Sequence, residues 1–362
     1  MDARPVLIMA GGTGGHVFPA LAVADELRSR GVPVVWLGTR AGIEARLVPQ
    51  AGYPIEWMSI TGLRGKNTLT LFLAPLRIIL ACWQALLVLF KRKPCAVLGM
   101  GGFASGPGGL MAWLIRTPLI VHEQNAIAGL TNKVLAKLSM VVLQAFPSVF
   151  KCGITMGNPV RQSICEIAEP EMRFSSRRDS GQKNLRLLVV GGSLGAARLN
   201  EVIPQALGEI DRDKRPEIIH QTGLKNIESA RAFYDDAGVE ASIEAFIDDM
   251  SSAYEWADLV ICRAGAMTVF ELAAAGIGSV LVPYPHAVDD HQTANARYLE
   301  GAGAALIRQQ NELTTTWLVG VITDLSENRE KLLKMAVAAR TLAIPDSAKN
   351  IADACLDAGG IV

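Results

Sequence analysis

Short β-branched segments alternate with longer segments of helical periodicity along almost the whole chain. Runs rich in Val, Ile and Leu predict strands, and apolar residues three and four positions apart predict helices. The predicted strands are Val6–Ala10, Val34–Leu37, Ala96–Leu98, Leu119–His122, Val141–Leu143, Leu187–Val190, Glu217–Gln221, Leu259–Cys262 and Ser279–Val282. The predicted helices are Val17–Arg30, Leu76–Lys91, Thr131–Leu138, Ala197–Leu207, Met267–Ala275, Gln292–Gly301 and Arg329–Thr341. This alternation is typical of parallel sheets that carry helices on both faces.

The pattern restarts near the middle of the chain. A strand followed by the glycine-rich segment Gly11–His16 opens the sequence, and a second strand is followed by Gly191–Ala196. Between them, Ile167–Asn184 is polar and poor in strand-forming residues, so we place the linker there or just before it, after Gly157–Arg161. We therefore predict two Rossmann-like, doubly wound α/β domains. Ligands of such sheets bind outside the carboxyl ends of the strands, so both glycine loops should face one cleft.

Three glycine-rich loops, Gly11–His16, Gly99–Gly109 and Gly191–Ala196, each follow a predicted strand. Glycine lets the backbone approach a ligand closely, and the start of the next helix offers free N–H groups, so these loops predict phosphate-bearing ligands. None matches G-x-G-x-x-G with an acidic residue about 20 positions later, which disfavours a dinucleotide-dependent dehydrogenase. His16, beside the first loop, is the residue type that most often accepts a proton near neutral pH.

Two acidic segments in the second half bear on nucleotide and metal binding. Glu271 lies in a predicted helix after a strand, where a carboxylate can accept hydrogen bonds from vicinal ribose hydroxyls. A solvent-facing Glu on a helix surface is the alternative. The segment His286–Gln292 contains two His and two Asp but has no standard metal-ligand spacing. We therefore expect no metal and no cofactor.

The charge distribution indicates an anionic surface as a partner. The chain has 35 basic and 35 acidic residues, yet no acidic residue occurs from Trp57 to His122. The basic residues of that stretch are Arg64, Lys66, Arg77, Lys91, Arg92, Lys93 and Arg116. A basic and apolar stretch of this kind favours anionic lipid head groups over nucleic acid.

The same stretch contains a long apolar segment, Leu69–Phe90. It is interrupted by Pro75, Arg77 and Gln84, and polar or charged residues are costly near the centre of a bilayer. We interpret the segment as an amphipathic helix that lies against a membrane. An ordinary buried helix is the alternative that the pattern leaves open.

Taken together, the motifs resemble the MurG family of cell-wall glycosyltransferases, which have the GT-B fold of two Rossmann-like domains facing a cleft. The matching segments are Gly11–His16, Gly102–Gly109, His122–Asn125, Gly157–Arg161, Gly191–Ser193, Phe246–Asp249 and Arg263–Glu271. The resemblance extends from about Val6 to the last helix. It implies an acceptor-binding, membrane-associating domain of residues 1–162 plus 345–362 and a donor-binding domain of residues 163–344.

The resemblance implies a donor site for UDP-N-acetylglucosamine, which is a substrate and not a cofactor. The main chain at Ile247 would meet the uracil, and Glu271 would bind the ribose hydroxyls. The other donor contacts would be Thr13, Gly14, Gly15, Asn125, Arg161, Ser193, Ala266, Met267, Thr268, Val269, Phe270 and Gln292. Phe270 departs from the small residue that the family usually has before the ribose-binding Glu, and we expect its side chain to face away from the ligand.

The resemblance also implies an acceptor, undecaprenyl-pyrophosphoryl-N-acetylmuramyl pentapeptide. Its pyrophosphate would lie on Gly11, Gly12, Gly14, Gly15, Gly102, Ser105 and Gly106. His16 would be the general base in an inverting transfer of N-acetylglucosamine to the acceptor 4-hydroxyl during peptidoglycan synthesis.

The expected location is the cytoplasmic face of the bacterial inner membrane, with other cell-wall enzymes as further partners. Val6–Ala10 predicts a strand followed at once by glycines, so we expect no signal peptide. Two alternatives remain at this point: a UDP-N-acetylglucosamine 2-epimerase on the same scaffold and a non-catalytic nucleotide-sugar-binding protein.

Overall fold

The computed structural model describes residues 4–60, 74–181, 184–192 and 195–361. The chain divides into two compact units, one of Met1–Val160 with Asp346–Val362 and one of Arg161–Pro345. Each unit is built on one sheet in which all the described strand pairs are parallel. This confirms the predicted fold class of two parallel-sheet α/β units.

The sheet of the first unit has the strand order β3-β2-β1-β4-β5-β6-β7. Its strands are β1 (Val6–Met9), β2 (Val34–Gly38), β3 (Ile55–Trp57), β4 (Ala96–Gly99), β5 (Leu119–Glu123), β6 (Val141–Gln144) and β7 (Ile154–Thr155). Its helices before the second unit are α1 (Gly14–Ser29), α2 (Glu44–Gln50), α3 (Ala74–Arg92), α4 (Ser105–Leu114) and α5 (Leu130–Leu135). The order reverses between β1 and β4, where Met9 is level with Gly99. The first two glycine loops leave the sheet at this switch point, the usual ligand position in such sheets.

The sheet of the second unit has the strand order β10-β9-β8-β11-β12-β13. Its strands are β8 (Arg186–Val190), β9 (Glu217–Gln221), β10 (Ser242–Glu244), β11 (Leu259–Cys262), β12 (Gly278–Leu281) and β13 (Ala305–Ile307). Its helices are α6 (Gln162–Cys165), α7 (Pro170–Asp179), α8 (Ala197–Gly208), α9 (Ile227–Asp236), α10 (Met250–Trp256), α11 (Ala266–Ala275), α12 (His291–Glu300), α13 (Thr315–Glu327) and α14 (Arg329–Thr341). The order reverses between β8 and β11, so the loop after β8 and the loop before α11 leave the sheet side by side.

The central strands are apolar on both faces because helices cover both sides of a parallel sheet. In the first unit, Ile8 faces a core shared with α1, whereas Leu7 faces a second core shared with α3 and α4. The last helix, α15 (Ser347–Gly359), packs Ile351 and Cys355 into the α1 side of this sheet. The C-terminal segment therefore completes the core of the first unit.

Of the two predicted linker positions, Ile167–Asn184 is wrong for most of its length, because α7 occupies Pro170–Asp179. The boundary between the two units falls between Val160 and Arg161, at the earlier position. The φ angle of proline is fixed near the helical value, so proline suits the first position of this helix. Arg173 is 6% exposed and donates from Nη2 to the carbonyl of Ala275 at 2.7 Å. The polar composition that suggested a linker reflects arginines that bind buried carbonyl groups of the second unit.

Arg177 of the same helix reaches a buried carboxylate, Asp258, which is 1% exposed. Asp258 Oδ2 also accepts from Arg329 Nη1 at 2.9 Å and from the Arg186 amide at 2.9 Å. A carboxylate buried in this way is stable only because cations and an N–H group surround it. Asp258 therefore ties α7, β8 and α14 together.

We expect Asp258→Asn to lower the free energy of unfolding of the second unit by about 3 kcal/mol, because Arg177 would stay buried beside a neutral amide. Urea denaturation, monitored by hydrogen exchange of peptides from residues 185–345, measures the change in the free energy of unfolding of this unit. The matched control is Glu228→Gln, the same exchange in an exposed pair with Arg231, where the change should stay below about 1 kcal/mol. Equal effects of the two exchanges would contradict this role of Asp258.

Candidate functional site

The first two glycine loops of the first unit are in direct contact. A Cβ atom on Gly102 would lie 2.5 Å from the carbonyl oxygen of Gly11, and a Cβ on Gly101 would lie 2.7 Å from Nδ1 of His16. Both glycines also have a positive φ, 89° at Gly101 and 84° at Gly102. Only glycine allows this approach, so the loop after β4 closes over the loop after β1 and over the His16 ring.

A buried carboxylate lies beneath the first loop. Glu44 at the start of α2 is fully buried and accepts hydrogen bonds from Gly12 N at 2.9 Å, Thr39 N at 3.1 Å and Thr39 Oγ1 at 2.7 Å. The Gly12 amide therefore already has a partner within the protein, and Gly11 is buried. The acceptor contacts expected of Gly11 and Gly12 stay predictions. Glu44, which the sequence analysis missed, holds the loop in shape.

The start of α1 offers the groups that the first loop was expected to supply. The first-turn amides of a helix have no partner within the helix; in α1 they include those of Gly14, which is partly exposed, and of Gly15, which is exposed. Thr13, the N-cap residue, makes no capping hydrogen bond with its side chain, and the first turn contains no acidic residue. The positive end of the α1 dipole is therefore open to an anionic ligand.

The start of α4 is also an uncapped helix N-terminus, although Ser105, a predicted acceptor contact, has a structural role there. Its first turn has no acidic residue and no side-chain cap, and Gly106 is partly exposed within it. Ser105, in contrast, is fully buried, and its hydroxyl lies 3.0 Å from Met9 O and 2.8 Å from Gly101 O. We correct the expected acceptor contact of its side chain, because that hydroxyl joins the second loop to the end of β1.

His16 lies in the first turn of α1 and is partly exposed. Its Nδ1 is 3.0 Å from Oε1 of Gln124, a buried residue directly after β5. The candidate base is therefore positioned by hydrogen bonding as well as by the Gly101 contact. Gln124 belongs to the matched segment His122–Asn125 but was given no role from sequence.

The loop that carries Asn125 is organised by a second buried acid, Glu123. Its Oε1 accepts from Asn125 N at 2.9 Å and from Asn125 Nδ2 at 3.3 Å, and its Oε2 accepts from Asn132 Nδ2 at 2.8 Å. Asn158 is fully buried and donates from Nδ2 to the carbonyl of Gln124 at 3.1 Å. Two segments that are distant in sequence therefore fix each other at the end of β5.

In the second unit, Glu271 has partners that set its carboxylate in one orientation. Its side chain is 13% exposed, and Oε2 accepts from the buried Tyr254 hydroxyl at 3.1 Å. Oε1 lies 3.4 Å from Nη2 of Arg161. Burial raises the pKa of Glu271, while Arg161 and Tyr254 act in the opposite direction. The arrangement contradicts the alternative of a solvent-facing Glu, and Tyr254 is a supporting residue that the sequence analysis missed.

Glu271 belongs to a helix whose N-terminus is open. The first hydrogen bond of α11 runs from Val269 N to Gly265 O at 3.0 Å, so the amides of Ala266, Met267 and Thr268 precede the regular helical bonds. The N-cap Gly265 carries no capping side chain, and no acidic residue occurs in the first turn. One helix therefore presents an anion-binding end and, farther along, a carboxylate.

Two predicted donor contacts on the same helix need correction. Val269 is fully buried and Phe270 is 2% exposed, so their side chains belong to the core. The Phe270 ring stacks on Tyr298 with 5.7 Å between ring centroids. Phe270, where the chain departs from the family pattern, therefore packs between α11 and α12. That its side chain faces away from the ligand stays a prediction.

The segment before α10 presents a main chain suited to a nucleobase. Ile247 has a buried side chain, and no hydrogen bond within the described residues occupies its N–H or C=O. Asp249 then caps α10, accepting from Ser252 N at 3.1 Å and from the hydroxyls of Ser251 and Ser252 at 2.6 Å. These bonds hold the pKa of Asp249 well below its usual range, and they fix the backbone next to Ile247.

Gln292 and Ser193 complete the predicted donor residues. Gln292 is partly exposed in the first turn of α12, and its Oε1 accepts from Tyr284 N at 2.9 Å, which leaves its amide nitrogen as the group that could donate to a sugar. Ser193 lies outside the described residues. Among the residues that the structure describes, no group of three or more His, Cys, Asp or Glu side chains has the arrangement of a metal site.

Helix α3 exposes a broad apolar face. Its core side contributes Ala81, Ala85 and Leu89 to the core of the first unit. The opposite side exposes more than half of the surface of Leu76, Ile79, Trp83, Leu87 and Phe90. This contradicts the alternative of an ordinary buried helix. By length and composition, α3 is the one described helix able to cross a membrane, but crossing would break its core contacts.

Next to this face lies an apolar groove of about 320 Å³ between α3, α4 and α5. Its walls include Ile78, Leu110 and Val134, and Gly106 at the start of α4 lies among the lining residues. Of the basic residues near this face, Lys91 and Arg92 are both 2.8 Å from Glu56 Oε1. Arg64 and Lys66 lie outside the described residues.

Comparison with known proteins identifies the family. The glycosyltransferase family 28 N-terminal domain matches residues 6–144, and the glycosyltransferase family 28 C-terminal domain matches residues 186–351. The chain is 52% identical to a UDP-N-acetylglucosamine–N-acetylmuramyl-(pentapeptide) pyrophosphoryl-undecaprenol N-acetylglucosamine transferase of Marinobacter nauticus over 98% of both chains. It is 54% identical to the transferase of that name from Nitrosococcus oceani, covering 97% of this chain and 98% of the relative.

Solved structures agree with this assignment. The crystal structure of Acinetobacter baumannii MurG matches with a TM-score of 0.84 and 42% identity over 98% of this chain and 99% of that one. The calicheamicin glycosyltransferase CalG4 matches with a TM-score of 0.69 at 16% identity over 99% of both chains, which supports the shared fold alone. The chain therefore belongs to the MurG family of N-acetylglucosaminyltransferases within glycosyltransferase family 28.

Proposed function

We propose that this protein transfers N-acetylglucosamine from UDP-N-acetylglucosamine to the 4-hydroxyl of undecaprenyl-pyrophosphoryl-N-acetylmuramyl pentapeptide, the step from lipid I to lipid II. The observation that carries the proposal is α11, which presents an open N-terminus and, at Glu271, an oriented carboxylate. A nucleoside diphosphate has the complementary chemistry, with an anionic diphosphate and vicinal ribose hydroxyls. The names of the relatives supply the specific substrates.

The donor would bind through main-chain and side-chain groups of the second unit. The N–H and C=O of Ile247 match the paired acceptor and donor of a uracil edge. Glu271 retains acceptor capacity on both oxygens for the ribose hydroxyls. The amides of Ala266, Met267 and Thr268 would stabilise the diphosphate, helped by the helix dipole. Gln292, Arg161 and Ser193 are proposed to contact the remainder of the donor.

The acceptor pyrophosphate would bind the open starts of α1 and α4, at Gly14, Gly15 and Gly106. In the transfer, the acceptor 4-oxygen forms a bond to the anomeric carbon as the bond from that carbon to the UDP oxygen breaks. The bonding electrons leave with UDP, and the hydroxyl proton passes to His16. One displacement inverts the configuration. Amides at a helix N-terminus stabilise the leaving diphosphate electrostatically without a metal ion.

An epimerase or a purely binding protein would share the donor site but would not need a lipid acceptor. Incubation with UDP-N-acetylglucosamine distinguishes these functions. Release of UDP that depends on the lipid acceptor indicates transfer. Formation of an N-acetylmannosamine derivative without acceptor would indicate epimerisation, and no turnover under either condition would indicate binding alone.

Glu271→Gln should weaken UDP binding by about 1.5–3 kcal/mol, or roughly 10- to 100-fold, because a hydrogen bond to a charged acceptor is lost. Calorimetry with UDP and with 2′,3′-dideoxy-UDP locates the effect. The wild-type protein should prefer UDP, and the variant should lose most of that preference. The matched control is Glu330→Gln on α14. An unchanged preference for UDP in Glu271→Gln would remove Glu271 from the ribose site.

His16→Ala should lower kcat by about 100- to 10,000-fold, the usual contribution of a general base. The affinity for UDP should change little, because His16 lies in the unit that we assign to the acceptor. Steady-state kinetics and UDP calorimetry measure the two quantities. Unaltered turnover would exclude His16 as the base.

We propose that the protein attaches peripherally to the cytoplasmic membrane face through α3. The exposed apolar side would enter the headgroup region, and the neighbouring groove, which ends at Gly106, would admit the lipid acceptor from that side. The basic residues near α3 favour anionic lipids. Attachment is proposed to involve this face and not a crossing of the bilayer.

Replacing Ile79 and Trp83 together by Gln should weaken binding to vesicles containing anionic phospholipid by tenfold or more, since burying each side chain contributes about 1.5–3 kcal/mol. Flotation at several salt concentrations measures the binding and its electrostatic part. The matched control is Leu224→Gln, an apolar residue of the second unit that is 76% exposed. Equal binding of both variants would refute the α3 surface.

A further inference from the structure

A chain of hydrogen bonds leads from the His16 ring into the interior of the first unit. It passes from Nδ1 of His16 to the side-chain amide of Gln124, then to the ring of His122, and ends at the carbonyl of Gly157. The two residues between His16 and Gly157 are buried, His122 fully and Gln124 to 1% exposure. The carbonyl oxygen at the Gly157 end can only accept a hydrogen bond. That fact determines which atom is the donor and which the acceptor at every other link of the chain.

The end of the chain fixes the tautomer of His122. Its Nε2 lies 2.9 Å from the carbonyl oxygen of Gly157, and a carbonyl oxygen only accepts. Nε2 must therefore carry the hydrogen. Burial lowers the pKa of His122 to about 4, so the ring is neutral near pH 7, and its Nδ1 is an acceptor.

The orientation of the Gln124 amide is fixed twice. Its Nε2 lies 3.2 Å from Nδ1 of His122, which accepts, and 3.3 Å from the carbonyl oxygen of His122, which also accepts. The amide nitrogen must therefore point toward His122 and the amide oxygen toward His16. Asn158 Nδ2 donates to the main-chain carbonyl of Gln124 at 3.1 Å, which anchors the backbone that carries this side chain.

The last link sets His16. Gln124 Oε1 is 3.0 Å from Nδ1 of His16, and an amide oxygen only accepts, so Nδ1 carries the hydrogen. The hydrogen bond made by one ring nitrogen determines which nitrogen holds the proton. Gly101 lies close to the same ring, since a Cβ atom added to it would be 2.7 Å from Nδ1 and Cε1; a larger residue at this position would displace the ring.

We propose that Gln124 and His122 are positioning residues that hold neutral His16 as the Nδ1–H tautomer, so that Nε2 is the atom that takes the proton of the acceptor hydroxyl. This inference rests on the proposed role of His16 as base. When Nε2 gains the proton, the Nδ1–H bond to Gln124 becomes a bond from a cation to a neutral amide. Because Gln124 carries no charge, it orients the base without strongly stabilising the protonated form.

The charged groups around His16 are consistent with an uncharged partner. From α2, Glu44 reaches the same glycine loop, but its carboxylate bonds to Gly12 and Thr39. From β5, the groups that face His16 are the amide of Gln124 and, behind it, neutral His122. From the loop after β4, Gly101 lies near the ring and carries no side chain.

The direct test is nitrogen-15 NMR of the full chain labelled at its five histidines, with signals assigned by their loss in His16→Ala and His122→Asn. We expect the protonated nitrogen of His16 to be Nδ1 and that of His122 to be Nε2. A proton on Nε2 of neutral His16 would overturn the proposal, whatever the activity of His16→Ala. Normal turnover of His16→Ala with the expected tautomers would instead overturn the assigned base.

Kinetics of two Gln124 variants test the consequence for the reaction. Gln124→Met removes both polar ends and should lower kcat by about tenfold or more, with little change in KM for UDP-N-acetylglucosamine. Gln124→Glu restores an acceptor for Nδ1–H, so kcat should recover toward the wild-type value. The carboxylate would also stabilise protonated His16, so the acidic limb of the kcat/KM profile should move to higher pH.

The matched control is Gln144→Met, the same exchange at another buried glutamine, which ends β6 and bonds to Thr155 and Phe150. It should lower thermal stability about as much as Gln124→Met does, while its pH profile should stay that of the wild-type protein. Equal loss of kcat in Gln124→Met and Gln124→Glu, with no shift of the acidic limb, would show that Gln124 acts only through stability and would overturn the proposal.

Discussion

The site of the first unit depends on one steric constraint. Where the second glycine loop crosses the first, there is no room for a side chain. At Gly102 an added carbon would meet the main chain of Gly11, and at Gly101 it would meet the ring of His16. The switch point between β1 and β4 brings the two loops to this crossing. Because the crossing is closed, the start of α4 is held near His16, which lies in the first turn of α1. A wider loop would move the first-turn amides of α4 away from His16.

The glycine loops have few side chains of their own to hold their conformation. Hydrogen bonds from buried polar side chains stabilise them instead. Glu44 accepts the Gly12 amide, Ser105 bonds to the carbonyls of Met9 and Gly101, and Glu123 organises the turn that contains Asn125. Buried polar groups are costly unless they are hydrogen-bonded, so each of these residues specifies one loop conformation. In the second unit, Tyr254 has the same relation to Glu271. The residues that would touch ligands are therefore few, and the residues that position them lie in the core.

Sequence reasoning succeeded where the period of apolar residues was decisive. Every predicted strand is present, with its ends within one residue of the prediction, and every predicted helix is present, with its ends within three. The missed strands are the short outer ones, β3, β7, β10 and β13, whose partial exposure gives them no continuous apolar run. Helix α7 was taken for a linker because its arginines look solvated in sequence, whereas Arg173 and Arg177 bind buried carbonyls and Asp258.

In the site as well, features with a local sequence signal could be predicted, whereas residues whose role depends on tertiary partners could not. Glycine spacing indicated phosphate binding, and the family resemblance pointed to Glu271 and His16. Sequence could not assign Glu44, Gln124 or Tyr254, because the function of each depends on partners far away in the chain. For Gln124 the partners are His16, more than a hundred positions earlier, and His122, two positions earlier. The family resemblance therefore included Gln124 in a matched segment but did not indicate its role.

The electrostatic design of both units favours anions without permanent positive charge at the contact points. Helices α1, α4 and α11 begin without acidic residues in their first turns and without side-chain caps where those caps are described, so the ligand itself would complete the helix ends. An amide also suits the base better than a carboxylate at position 124. A carboxylate there would repel the pyrophosphate that we propose to bind at α1 and would stabilise the protonated form of His16. A neutral amide at this position would fix the tautomer proposed for His16 and adds no negative charge beside the open starts of α1 and α4.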